Sequence, residues 1–571
     1  MKFTLKKLLC GILAAGLLFG TCAMTACNNE SIGDPTKTQL WVFNYDGGWG
    51  RSWLDSIKTD FEEKYANVPF EEGKTGVEVQ VFMDKVDITQ SLRGDTNHVY
   101  FTGGVNYNDL AANKLIMSID DIVTQDTLAE VSDGAETGKI VDKIPVAQRE
   151  ALTAYDGKYY ALPFVDNTCG ITYDCDLFET KSYYLKGKDD GSWIGTSATD
   201  TGKTYFTKKK SEMTVGPNGI RGDYDDGLPA TIEEFKALVA RIESTGDAPF
   251  IWSGKNAWYA TFLGYAVWAN LAGIDEAMLS FNYGTGSGEG ITMEYVSDFN
   301  GDTPQFKTST VTPATGYLTH KSKAMYYASD LMHYVFSNND FRAQKWSTVN
   351  THLMTQREYI YSNLTGRDQA IAMLLEGSWW YNEATDSKSF EDSLKYGGSL
   401  DRNFKFMPMP VKVSGGVKEN EGKKPTLSSM DTFSCFINNN ITNPGIVKAA
   451  KEFIKFVYTD KNLSTVQEKS GGKPRVNFTL PAEKYNNLNT FAKSYADMTA
   501  VSDIVVTASA APIFVNNSQE MMDPRTWLFN TTVNNVVCGP LDAFKTYKYS
   551  TKQYFIGLDK TDIWNKYSEW F

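Results

Sequence analysis

The sequence predicts an α/β fold on three observations. Strand-like and helix-like segments alternate along the chain, the order that builds sheets flanked by helices. Two of the helical segments open with legible caps. Beyond the amino-terminal segment no apolar run approaches the ~20 residues that span a bilayer, so the remainder should be globular.

The first element lies outside that fold. Lys2, Lys6 and Lys7 make a basic start, Leu8 to Phe19 an apolar run, and Ala23-Met24-Thr25-Ala26-Cys27 a small-residue stretch. This is the order of a secretory signal peptide. Its apolar run of twelve residues is too short to span the hydrocarbon core. Met24-Thr25-Ala26-Cys27 resembles the lipobox of bacterial lipoproteins, in which the cysteine is acylated and becomes the new first residue. The resemblance implies a signal peptide over 1–26, lipid (palmitate) on Cys27, and a polar tether over 27–37. It places the protein on the outer face of a bacterial cell membrane, with a single-membrane cell favoured. Cleavage near the same point without acylation is the alternative.

Leu40-Trp41-Val42-Phe43 is a buried-strand candidate, followed by the Gly-rich loop Asn44 to Arg51. A helix starts at Ser52, with Trp53, Leu54, Ile57, Phe61 and Tyr65 on one face. Val77 to Val81 alternates as a second strand, and Val99-Tyr100-Phe101 is a third, ending in a Gly-rich turn. Thr231-Ile232-Glu233-Glu234 is a capping box ahead of Phe235, Leu238, Val239 and Ile242 at helical spacing. Asn443-Pro444 supplies an N-cap and a first-turn proline for a helix carrying Val447, Ala450, Phe453, Ile454 and Val457. These apolar stripes are core packing.

Composition narrows the function. Residues 1–26 hold three Lys and no acid, so the mature charge is −16 (−13 minus 3). That argues against nucleic acid or anionic phospholipid as the main ligand, because both need a basic surface. Cys169, Cys175, Cys435 and Cys538, with four scattered His, match no zinc spacing. The spacing leaves open whether Cys169 and Cys175 are bridged. Aromatic residues reach 13%, with 13 Trp, 31 Tyr and 32 Phe. Most must be core, but Trp and Tyr beside polar groups are also what a sugar cleft requires. Ring faces pack on pyranose C–H faces while amides and carboxylates take the hydroxyls.

Residues 180–230 are rich in Lys, Gly, Asp, Ser and Thr and read as a surface insertion with a small hairpin near Thr204 to Thr207. Within it Asp223, Asp225 and Asp226 are clustered carboxylates that suit Ca²⁺, although the full EF-hand pattern is absent and a solvated acidic turn is the simpler reading. Residues 280–315 read as loop, and their Gly-rich stretch 284–290 precedes no capped helix, so it is no nucleotide fingerprint.

Asp156 to Phe164, followed by Gly170 to Phe178, resembles the first hinge region of extracellular solute-binding proteins, in the group that includes maltose-binding protein and other carbohydrate receptors of ABC importers. Gln369 to Glu383, containing Gly377-Ser378-Trp379-Trp380, resembles the segment in which a strand ends and a sugar-stacking aromatic follows. Phe406 to Pro410 is similar to the second crossing between lobes, and Leu427 through the 443–458 helix to the return into the first lobe. The matches run from about residue 39 to 470 in the family's order; the chain is longer than compact members, and Cys175 stands where many relatives have Asn or Lys. The resemblance implies a two-lobed, periplasmic-binding-protein-like fold of type II, its lobes joined by hinge strands. Lobe 1 would comprise 38–162 and 406–465. Lobe 2 would comprise 163–405, with insertions near 180–230 and 275–320, and most of 466–571. It further implies a monomer without enzymatic activity that closes on a carbohydrate, an oligosaccharide by its aromatic content, and delivers it to ABC permease subunits.

The candidate ligand residues follow from that frame. Asp46 and Trp49 sit in the loop after the first strand, where open α/β sheets bind ligands. Asn106 and Tyr107 follow the third strand, and Asp166 and Asn167 lie just past the hinge-like Leu162-Pro163-Phe164. Of Trp379 and Trp380 one should be a stacking platform and the other packing, and the pattern leaves open which. Asp431 lies in the region re-entering lobe 1, and Arg525 and Trp527 resemble late cleft residues. No cofactor is expected beyond the calcium candidate. The competing functions are a lipid-anchored glycosidase, which needs two carboxyls flanking the bond, and a surface adhesin. No GxSxG, HExxH, P-loop or CxxC motif occurs. Replacing Cys27 by Ser is expected to move the protein from the membrane fraction to the medium, as read by cell fractionation; unchanged membrane association would refute anchoring at that residue.

Overall fold

The computed structural model describes residues 33–84, 88–103, 105, 107–154, 156–343, 349–364, 369–400, 402–414, 424–506, 528–533 and 536–568. Residues 1–32, with Cys27 and the first part of its tether, and Asn106, Arg525 and Trp527 therefore lie outside the described residues, as does the side chain of Asp431. No described helix is long and apolar enough to cross a membrane.

In chain order the strands are β1 (Thr38–Tyr45), β2 (Val77–Asp84), β3 (Val99–Thr102), β4 (Leu162–Asp174), β5 (Tyr184–Leu185), β6 (Phe206–Thr207), β7 (Ala248–Ile251), β8 (Thr292–Asn300), β9 (Thr303–Thr310), β10 (Ile371–Gly377), β11 (Phe404–Met407), β12 (Thr426–Ile437), β13 (Asp503–Val506), β14 (Thr531–Val533) and β15 (Val536–Cys538). The main sheet runs β2-β1-β3-β12-β4-β10-β7, with β11 also on β4 and β13 on β12. β1 is parallel to β2 and β3. β12 runs antiparallel to β3 and β4, and β10 antiparallel to β4.

β4 holds the two halves together. It is thirteen residues long and buried throughout. Its first half, at Leu162, Pro163, Asp166 and Thr168, pairs with β12. Its second half, from Cys169 to Asp174, pairs with β10 and β11. A strand buried on both faces reads as near-continuous apolar sequence rather than alternation, which is why Asp166, Asn167 and Thr168 stand out within it. The chain returns later than residues 406–410. β11 stays beside the end of β4, and Asn270 of the long Thr261–Asn282 helix still bonds both Met409 and Thr426. The return is made along β12, whose far end pairs with β3. A third crossing follows the Asp460–Ser470 helix: Lys473 and Arg475 exchange backbone hydrogen bonds with Asp166 and Phe164.

Two main cores result. One gathers Leu40, Val42, Trp53, Phe61, Phe101, Phe164, Phe453 and their neighbours around β1, β3 and the Ser52–Lys64 and Pro444–Val457 helices. The other centres on Tyr173, Phe235, Phe250, Phe262, Trp268 and Met332. Both expected caps are present: the Glu234 amide donates to Thr231 Oγ1 at 3.1 Å, and the Gly445 amide to Asn443 Oδ1 at 2.9 Å.

Three further expectations are corrected. Segment 280–315 is not loop, because Thr292 to Tyr295 alternates and Gly301, at φ +63°, turns the chain into a β8–β9 hairpin. Segment 180–230 does contain a hairpin, β5–β6, but Tyr184, Trp193, Phe206 and Met213 bury against the second core, so it is no mere surface excursion. Trp380 offers no face to a ligand. It is fully buried between Tyr359, Phe390, Phe404 and Phe491, because the strand ends at Gly377 and the helix Trp380–Asp386 turns its first residue inward. Trp380→Ala is accordingly expected to cost about 3–5 kcal/mol of stability through the cavity it leaves, measured by urea unfolding; a loss below 1 kcal/mol would contradict this packing.

Candidate functional site

The two halves meet where the loop after β1 touches the segment after β10. Gly48 and Gly50 let this loop approach: Gly48 has φ +90°, and a Cβ there would lie 2.8 Å from Trp379 Cδ1. Asn382 Nδ2 donates to the Gly48 carbonyl at 2.8 Å, a hydrogen bond between the halves. Trp49 is buried over Gly472, and its indole N–H donates to Asn167 Oδ1 at 3.1 Å. Asn167 in turn donates its amide N–H to Ser429 Oγ at 3.0 Å. Loop, first hinge strand and second hinge strand are thus tied through one residue, Asn167, by its side chain and its backbone amide.

Trp379 is the pivot of the junction. It is partly exposed and packs against both main cores. Its ring meets Trp49 edge-on, with centroids 6.4 Å apart, and Phe262 edge-on at 6.0 Å. Phe262 continues to Tyr259 and Trp258 at 4.7 and 5.3 Å. Trp258 is 49% exposed, which makes it the open end of an aromatic line that begins at Trp49. On the first-half side Tyr45 meets Phe433 at 5.8 Å.

Carboxylates and amides border this line. Asp46 is exposed at the tip of the loop. Asp386 has its carboxyl pushed up by desolvation, then by the charge of Asp46 across the junction and by Glu383. Behind Trp379, Gln356 donates to Glu383 at 2.8 Å and to Glu376 at 3.4 Å. Glu383 also pairs with His352 at 3.2 Å. Burial, then Glu383, holds the Glu376 carboxyl well above the usual carboxylate range. Such a border of acceptors beside ring faces is suited to hydroxyl-rich ligands.

Of the residues expected from sequence, the structure brings Asp46, Trp49, Asn167 and Trp379 together. Asp166 is near them but buried, its Oδ1 3.2 Å from Arg475 Nε. Burial pushes its carboxyl up and Arg475 opposes that shift. Tyr107 is buried at the start of a short helix, beside Arg475. Sequence reasoning missed Trp258, Tyr259, Phe262, Glu383 and Arg475. The aromatic pair Trp258-Tyr259 shortly after β7 carried a usable signal, a strand-end loop with adjacent rings. Arg475 carried none, since its partner lies in a strand far away in the chain. No disulfide joins Cys169 to Cys175. Among the described residues the group able to hold a metal is Asp223, Asp225 and Asp226, away from this junction.

No family model matches the chain, and no curated protein does. Solved structures match over nearly its whole length. A chitin oligosaccharide binding protein aligns with TM-score 0.51 and 14% identity, over 93% of this chain and 99% of that one. The BlMnBP1 binding protein of an ABC transporter from Bifidobacterium animalis subsp. lactis, solved in complex with mannobiose, aligns with TM-score 0.50 and 15% identity, over 93% of this chain and 95% of that one. At such identities the likeness is one of fold. The chain has the two-lobed α/β fold of solute-binding proteins, and the junction just described lies between its lobes.

Gly48→Ala is expected to part the lobes, because the new methyl strikes Trp379 and the positive φ costs about 1–2 kcal/mol for any residue with a Cβ. Small-angle scattering should show a larger radius of gyration; an unchanged radius would mean the contact at Trp379 does not hold the lobes together.

Proposed function

We propose that this protein is a carbohydrate receptor that closes its two lobes on an oligosaccharide and hands it to an ABC permease. The observation carrying this reading is the aromatic line from exposed Trp258 through Phe262 and Trp379 to Trp49, which crosses from one lobe to the other beside Asp46, Asp386 and Asn167. Trp258 and Trp379, the rings of this line with exposed surface, can each take a pyranose face, while buried Trp49 and Phe262 hold them in place. The likeness in fold to a chitin oligosaccharide binding protein and to a mannobiose complex supports the same reading.

The mechanism is a shift of population. A ligand that touches both lobes has contacts in the closed form that the open form lacks, so binding favours closure. Trp379, already in contact with both cores, is the residue through which ligand and closure would be coupled. The closed shape is what a permease would recognise, and a lipid on Cys27 would keep the receptor beside it. In this reading the protein turns nothing over, and its acids accept hydrogen bonds rather than cleave.

A thermal-shift screen of mono- and oligosaccharides should give a saturable rise for one sugar class. On the best hit, Trp379→Ala and Trp258→Ala should each weaken binding roughly tenfold, about 1.4 kcal/mol, as read by calorimetry. Release of shortened sugars would overturn the receptor reading in favour of a glycosidase, and no response to any sugar would leave it without support.

A further inference from the structure

The second feature with chemistry of its own is the loop 216–227, in the segment added between β4 and β7. Its carboxylates are not all solvated. Asp225 has none of its surface exposed. Asp223, Asp225 and Asp226 each bring a carboxylate oxygen within 4.8 Å of the other two. The amides that reach them leave oxygens over: Asn218 N–H donates to Asp225 Oδ2 at 3.0 Å and Gly222 N–H to Asp226 Oδ2 at 2.8 Å, while Asp223 accepts from Asp225 N–H at 3.3 Å and from Asn218 Nδ2 at 2.5 Å. Asp225 Oδ1 and Asp226 Oδ1 are both buried and have no hydrogen-bond partner. Gly216, at φ +66°, is needed because a Cβ there would lie 2.5 Å from that same Asp225 Oδ1. Arg221 acts on Asp226 by charge but directs its guanidinium to the Met213 carbonyl.

A buried carboxylate oxygen with no donor is costly, and three carboxylates at this spacing repel unless a cation or a shared proton lies among them. Hard oxygen ligands with no His or Cys select calcium or magnesium over transition metals. The loop supplies carboxylates at irregular spacing with room for water on the Asp223 side, which suits the flexible coordination of calcium better than the strict octahedron of magnesium.

We propose that Asp223, Asp225 and Asp226 form a calcium site that fastens the added segment to the second lobe. The bound ion would take the unpaired oxygens of Asp225 and Asp226 and the exposed carboxylate of Asp223. The loop is already knitted to its surroundings through Gly227, which exchanges backbone hydrogen bonds with Leu185 and Thr214. It also walls a cavity of about 600 Å³ against Tyr173, Cys175 and Tyr184. Calcium would therefore set the shape of that wall without entering the lobe junction, and the site stands whether or not the junction binds sugar.

Tyr224 lies inside the loop, so terbium bound there should luminesce on excitation through tyrosine. With the full chain stripped by a chelator, terbium emission should saturate at one ion and be displaced by calcium. Calcium at ~1–10 mM should also raise the melting temperature by about 3 °C. Asp225→Asn should abolish both effects. Asp223→Asn, at an exposed position that does not threaten folding, should weaken terbium binding at least tenfold. Absence of saturable emission, emission unchanged in the Asp223→Asn chain, or equal displacement by magnesium would overturn the assignment.

Discussion

The architecture depends on β4. A strand of thirteen buried residues that hydrogen-bonds β12 along its first half and β10 and β11 along its second cannot be divided between separate domains. Its backbone groups have no water to fall back on, so each must find a partner in one lobe or the other. The register with β12 shifts on both sides of Thr432, in the middle of the crossing. Irregular pairing there bends the strands and lets two sheets of different orientation share them.

The polar residues in β4 are placed by the same constraint. Asp166, Asn167 and Thr168 fall at the changeover between the two sets of partner strands, buried like the rest of β4. Each is met by a polar group from elsewhere in the chain: Arg475 for Asp166, Ser429 and Trp49 for Asn167, and the Tyr495 hydroxyl for Thr168. The hinge is thus a polar layer between two apolar cores. Polar contacts can be exchanged for water when lobes move, whereas a continuous apolar core would resist opening. Trp379 bridges the cores at the edge of this layer, edge-on to a ring from each lobe, a geometry that aromatic quadrupoles favour and that a flat ligand can also satisfy.

Much of this was legible in the sequence where the governing interaction is local. The helix from Ser52, the strands at β1 to β3, and the caps at Thr231 and Asn443 lie where period and cap chemistry put them. The β8–β9 hairpin was missed because Gly-rich stretches beside it masked a clean alternation ending in Asn300-Gly301-Asp302. At the junction, the loop carrying Asp46 and Trp49 and the segment carrying Trp379 were visible as strand ends. Trp258 carried a similar mark, adjacent rings shortly after β7, but nothing near it in the chain tied it to Trp379.

The sequence by itself determined the alternation of elements, the acidic and aromatic character, and the places where strands end in ligand-capable loops. These depend on hydrogen bonds and side-chain periods spanning only a few residues. The tertiary structure alone decided which member of an adjacent pair turns outward and which acids are solvated. Trp379 and Trp380 differ by one position, yet one lies at the junction and the other in the core, because residues far along the chain supply their surroundings. Asp225 looked like part of a solvated turn and is fully buried for the same reason. Burial is a property of what packs against a residue, and in this fold those partners come from both ends of three crossings.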